Sequence, residues 1–186
     1  MRITCNGYRE RNEKNRALYR EELATQNSET IVYIDESRIG DNEEYPYAWG
    51  IKGVRVYAMK SHFKRKRLSI IGPLNRTILK ASFVFEGNGT REVFETYLSK
   101  ILLPHLKPGQ TVVMDNASFH KGGKIQIIIE SAGYQLLYLP AYSPDLNPIE
   151  HWWATIKHRM KRALLLCNRD PYKAEEFVFP QISIHK

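Results

Sequence analysis

Apolar positions in this chain fall into short runs separated by polar, turn-rich stretches, and the spacing inside each run predicts an element. Residues 8–25 are charged and helix-favouring with few apolar positions, which describes a linker or surface helix rather than a core one. Residues 30–34 (TIVYI) are apolar and β-branched, as in a short buried strand, and end at Asp35. A turn-rich stretch, 40–53, carries Tyr45, Tyr47 and Trp49. Residues 54–57 alternate like a strand, and 68–71 and 78–85 predict two more, separated by the turn formers Gly72, Pro73 and Asn75. Val93, Phe94, Tyr97, Leu98 and Ile101 recur at helical spacing, so 90–103 is a helix capped by Thr90 and closed by Pro104. Residues 111–114 form an apolar strand that ends at Asp115. Residues 125–132 form a helix stopped by Gly133, and 135–139 a strand stopped by Pro140. The last long helix, 148–166, has Ile149, Trp152, Ile156 and Met160 as its buried stripe. From Cys167 the pattern weakens, which predicts a loose or peripheral tail.

Strands come first, and helices then alternate with strands. That order implies a mixed α/β sheet with helices packed on it. At 186 residues the chain is one domain, divided as a polar N-terminal linker (1–29), a sheet domain (30–166) and a C-terminal tail (167–186). Its hydrophobic fraction of 42% and charged fraction of 26% are ordinary. The charge balance is not: 28 Lys and Arg against 20 Asp and Glu give +8. A basic surface favours polyanions, nucleic acid foremost, although charge alone fits any basic protein equally well. Cys5 and Cys167 have no metal-ligand or redox spacing and are expected to be reduced thiols in a cytosolic protein. The N-terminus has no apolar signal core, and no apolar run approaches the roughly 18 residues a membrane span needs.

Three acids stand out. Asp35 and Asp115 each follow an apolar strand, and in open α/β sheets ligand sites form just beyond the carboxyl ends of strands. Taken singly, each is equally a turn or helix-capping aspartate. Glu150 ends the run LPAYSPDLNPIE, residues 139–150. Pro148 suits the first helical position, where its missing N–H would be unpaired anyway. Asn147 is then the N-cap, and the Asn-x-x-Glu spacing resembles a capping box. The same helix start also aims Glu150 in a defined direction. Three carboxylates suit phosphodiester cleavage, in which two divalent ions roughly 3.5–4 Å apart stabilise the attacking and leaving oxygens. Mg²⁺ is hard, prefers oxygen and keeps several waters, so a few carboxylates suffice. One aspartate, expected to be Asp35, would bridge the two ions.

The segments YIDES (33–37), MDNASFH (114–120) and LPAYSPDLNPIEHWW (139–153) resemble the DDE catalytic domain of mariner-like bacterial insertion-sequence transposases. The 34 residues between Asp115 and Glu150 match the short spacing of that group. The resemblance covers residues 30–162. It implies a ribonuclease H-like mixed sheet, three antiparallel strands followed by alternating helices and parallel strands, flanked by helices. It implies Asp35, Asp115 and Glu150 as the catalytic, metal-binding triad, with two Mg²⁺ ions for which Mn²⁺ can substitute. The activity implied is DNA strand cleavage and strand transfer in cut-and-paste transposition of an insertion sequence, with element ends and a TA target as DNA partners, in the bacterial cytoplasm at the nucleoid. Family members usually carry N-terminal helix-turn-helix domains, which this sequence starts too late to contain. A separate helix-turn-helix subunit from an upstream frame, a degraded copy and a homodimer all stay open. So do two other functions: a different ribonuclease H-like nuclease, or a non-catalytic DNA-binding remnant.

Further residues join these as candidates. Asn116, His120 and Asn147 are placed to support the acids. Glu36 and Asp145 are neighbouring acids; strand alternation turns Glu36 away from the face of Asp35, and Asp145 competes with Glu150. Lys60, Lys64, Arg65, Lys66 and Arg67, flanked by Tyr57 and Phe63, form a candidate DNA-backbone contact or a solvated loop. Lys157 and Lys161 share the helix face of Glu150 and are candidates to hold DNA near it. Arg159 and Arg162 fit that role or a solvated face.

Overall fold

The computed structural model describes residues 10–39, 49–55, 57, 68–76, 78–79, 81–116 and 123–182. A mixed sheet forms its centre. The strands are β1 (Ile31–Ile39), β2 (Leu68–Asn75), β3 (Ile78–Leu79), β4 (Phe83–Glu86), β5 (Thr111–Met114) and β6 (Gln135–Tyr138). Their order is β3-β2-β1-β5-β6, with β4 also on β2. β1 pairs antiparallel with β2 and parallel with β5, and β5 is parallel to β6. The expected ribonuclease H-like order, antiparallel strands and then parallel ones, is what the chain adopts.

The central strands are apolar on both faces because both faces are covered. On one, Ile39, Ile70, Leu74 and Val84 pack under α4 (Ile149–Leu166) and α5 (Pro171–Ile182). On the other, Ile34, Ile71, Val112 and Met114 pack under α2 (Arg91–Tyr97), the π turn that continues it (Leu98–Leu102) and α3 (Lys124–Ser131). Thr90 caps α2 as expected, accepting a bond from the Val93 amide. Gly133, at φ 84°, ends α3; its own amide bonds to Glu130 and that of Tyr134 to Ile129, the double C-terminal closure that a left-handed glycine permits. Among the described residues no helix is long and apolar enough to cross a membrane.

Five expectations are corrected. Gly72 and Pro73 lie inside β2, not in a turn. They fall opposite the break between β3 and β4, where the pairing register slips by one residue and Ala81 adopts φ 56°. A proline is tolerated where the ladder is interrupted. Residues 54, 55 and 57 are not a strand. Val54 and Tyr57 are exposed, with the Arg55 guanidinium 5.8 Å above the Tyr57 ring, so their alternation has no buried face to serve. The buried stripe of α4 uses Trp153, with Trp152 only partly buried. The tail is not loose: α5 buries Ala174 and Val178 against α4 and the sheet. The polar N-terminal helix, α1 (Glu13–Ala24), is a surface helix as expected but not a linker, since it is docked with Arg16 and Tyr19 buried.

Candidate active site

The parallel ladder between β1 and β5 ends at the pair Ile34 and Met114. Asp35 and Asp115 are therefore the next residues on two adjacent strands, at the same end of the ladder. β1 does not stop at Asp35; it runs on against β2 as far as the Ile39–Leu68 pair. Asp35 is thus held within a strand rather than on a loop. From β6 the chain turns over this end of the sheet. The Leu139 amide donates to the Met114 carbonyl at 2.8 Å, and residues 140–148 lead into α4. Glu150 lies in the first turn of that helix. Asp35, Asp115 and Glu150 line one cavity of about 590 Å³ together with Asn116, Tyr142 and Asn147.

Asp35 is fixed by three donors. Its Oδ1 accepts from the Glu36 amide at 2.8 Å. Its Oδ2 accepts from the Trp153 indole Nε1 at 3.0 Å and from Asn147 Nδ2 at 3.4 Å. Burial pushes the carboxyl up to about 7, helped by the charges of Glu150 and Asp115 and opposed by the Trp153 and Glu36 bonds. Crowded carboxylates of this kind favour a proton or a cation.

The expected capping box does not form. Asn147 is extended, and its amide, which Glu150 would have capped, already donates to the Pro144 carbonyl at 2.9 Å. Pro148 precedes the helix, and no side chain caps it. Asn147 is 3% exposed, and its Oδ1 has no hydrogen-bond partner. Its side chain thus faces the site rather than the helix end. Trp153 is the residue that sequence reasoning missed as functional. The signal was present in the spacing Ile149, Trp153, Ile156, Met160, which follows one helix face more closely than a stripe through Trp152.

The competing acids have other partners. Asp145 is bound by Arg16, at 2.9 Å from Nη1 and 2.6 Å from Nη2, which holds its carboxyl below the usual range. Glu36 sits against Gly89, where a Cβ would lie 2.6 Å from Glu36 Oε2. Tyr142 on the cavity rim takes φ 57°, sparsely populated for an aromatic residue. Lys157 is half-buried and Lys161 exposed on α4, about 10 and 16 Å along the axis from Glu150 at ~1.5 Å per residue. His120, Lys60, Lys64, Arg65, Lys66 and Arg67 lie outside the described residues.

The donor set is all oxygen and suits a hard divalent cation. A buried, unsatisfied amide oxygen in the wall points the same way. Among the described residues, no three His, Cys, Asp or Glu side chains are close enough to share a single ion.

Residues 30–170 match the family model for the DDE superfamily endonuclease. The chain is 33% identical over 95 residues to the transposable element Tcb1 transposase of Caenorhabditis briggsae, covering 49% of this chain and 32% of the relative; it spans about a third of that protein's length. Its fold is similar to the Mos1 transposase in a strand transfer complex, with TM-score 0.70 at 15% identity, covering all of this chain and 59% of that one. It is also similar to a mariner Mos1 paired end complex with Mg, with TM-score 0.65 at 19% identity, covering 85% and 52%.

Proposed function

The chain belongs to the DDE superfamily endonuclease family, and from that premise we propose that it is the catalytic domain of a transposase, which cleaves DNA strands and transfers them through Asp35, Asp115 and Glu150. The observation that carries this reading is that three carboxylates, from residues far apart in the chain, line one open cavity. Likeness to proteins held in a strand transfer complex and in a paired end complex with Mg supports DNA as the substrate and Mg²⁺ as the cofactor.

Asp35, Asp115 and Glu150 would hold two Mg²⁺ ions, which supply charge stabilisation to the attacking and leaving oxygens and lower the pKa of the attacking water. Two ions need about two protein carboxylates each, the remainder coming from phosphate and water. Trp153 and the Glu36 amide hold Asp35 as a carboxylate acceptor in one orientation. Asp35 would be the acid that both ions share, with Asn147 beside it in the wall of the cavity. Glu150, exposed on the first turn of α4, has the freedom to follow the substrate.

The test is nicking of supercoiled plasmid in Mg²⁺ or Mn²⁺. Asp115→Asn is expected to abolish nicking and to leave non-specific DNA retention nearly unchanged, since the basic surface remains. EDTA should abolish cleavage by the parent. An Asp115→Asn protein that nicks as fast as the parent removes the triad assignment.

A further inference from the structure

We propose that Arg16, on the N-terminal helix, is a positioning residue for the acid site, acting through Asp145 to hold the loop that delivers Asn147 and Glu150. This rests on the role proposed above for Glu150. The Arg16 side chain is only 3% exposed, while that of Asp145 is 57% exposed. A cation is therefore withdrawn from water to grip an acid that needs no partner for its own solvation. Such a desolvated charge contributes little net stability, so its use lies in what it orients. The grip is bidentate, at 2.9 and 2.6 Å, which fixes direction as well as distance.

Asp145 lies in the turn Pro144–Leu146. Backbone bonds link that turn to the start of α4. The Leu146 amide donates to Ser143, the Asn147 amide to Pro144, and the Glu150 amide to Asn147. The turn that carries Asp145 is therefore hydrogen-bonded in series with Asn147 and Glu150. The same helix supports both ends of the loop, since Tyr19 and Leu23 pack with Leu139 and Leu146. Just past its C-terminus the chain is tied to β5, the strand that leads into Asp115, through the bond from Thr111 Oγ1 to Gln26 Oε1 at 3.1 Å. α1 thus braces the cavity from behind, and a shift of this helix is passed to Glu150 through a stiff turn.

Arg16→Met is the informative substitution. It keeps the buried stem and leaves Asp145 to water, so the fold is retained. Two measurements on the full chain decide the matter: amide hydrogen exchange by mass spectrometry, and nicking of supercoiled plasmid in Mg²⁺. In Arg16→Met, peptides covering 139–150 are expected to exchange about tenfold faster while those covering β1 and β5 stay unchanged. Turnover at saturating plasmid should fall about tenfold with KM unchanged, the pattern of lost transition-state positioning. Arg16→Lys, which keeps the charge without the fork, should restore part of both effects. Unchanged exchange at 139–150 overturns the proposal. So does exchange that rises equally in β1 and β5, or full turnover with a loosened loop. A parent that nicks no plasmid defeats the proposed function instead, and the exchange comparison then decides alone whether Arg16 holds the loop.

Discussion

Asp35 is the most constrained of the three acids, and the constraint comes from α4, the helix that also carries Glu150. The Trp153 indole N–H can only donate, so it favours Asp35 as an acceptor in one orientation. A hydrogen bond to a charged group is worth about 1.5–3 kcal/mol. Trp153→Phe keeps most of the packing and removes the donor. It is expected to slow plasmid nicking about tenfold or more, whereas Trp152→Phe, on a side chain with no bond to Asp35, should leave the rate within about twofold. Equal losses in the two variants would reduce Trp153 to packing. At this scale the sequence was informative about Asp35, Asp115 and Glu150 because each abuts a strongly patterned element. It was only half informative about Trp153: the spacing Ile149, Trp153, Ile156, Met160 places that side chain on the buried face, but nothing in the spacing shows that its indole N–H meets Asp35. It misdirected at Asn147, where the capping signature is present but the side chain donates to Asp35 and the amide is already bonded to Pro144.

The same distinction between pattern and context governs the elements. Strong two-sided strands such as β1 and β5 were readable, since continuous apolar runs have few other uses. α5 was not, because only Ala174 and Val178 mark its buried stripe. The signal that existed was local: Asp170 followed by Pro171, with Asp170 Oδ1 accepting the amides of Tyr172 and Lys173 at 3.0 and 3.2 Å. α1 was misjudged for a related reason, since one arginine and one tyrosine do its anchoring. The docking of α5 carries a pH dependence. Burial, with the charge of Glu176, pushes Glu175 from 4.5 up to about 7, against a bond from the Val84 amide. A folded-state value above the unfolded one favours the protonated native state. The associated stability is present below about pH 4.5 and lost as pH rises through about 7. Allowing for solvent screening of a half-buried group, it amounts to about 1–2 kcal/mol. Thermal unfolding from pH 5 to 8 is expected to show this decline in the parent and a flatter profile in Glu175→Gln, with the variant the more stable at pH 8. Parallel profiles would place the origin of the decline elsewhere.

For the whole molecule, the net charge of +8 matters through its placement relative to the acids. The two Mg²⁺ ions proposed for the cavity would more than offset its three carboxylates, so cations elsewhere on the surface would guide the strand's approach rather than cancel repulsion at the acids. α4 supplies both signs along one rod: Glu150 in its first turn, then Lys157 and Lys161 on the same side farther along. Were a strand to lie across Lys157 and Lys161, helix rise along this rod would set its distance from the acids. This arrangement was legible as a spacing in the sequence, since seven and eleven residues return to the same helix face. The strand order that brings Asp35 and Asp115 side by side was only partly so, because periodicity identifies strands but not their neighbours. If the two lysines each neutralise one phosphate, replacing both with Ser should make the salt dependence of duplex binding shallower by about 1.8 in the slope of log K against log salt, at roughly 0.9 per contact. Retention of labelled duplex measured from about 50 to 200 mM salt gives that slope directly. A slope equal to the parent's would remove α4 from the DNA path, and the positive charge that draws the substrate to the acids would then have to come from another face of the molecule.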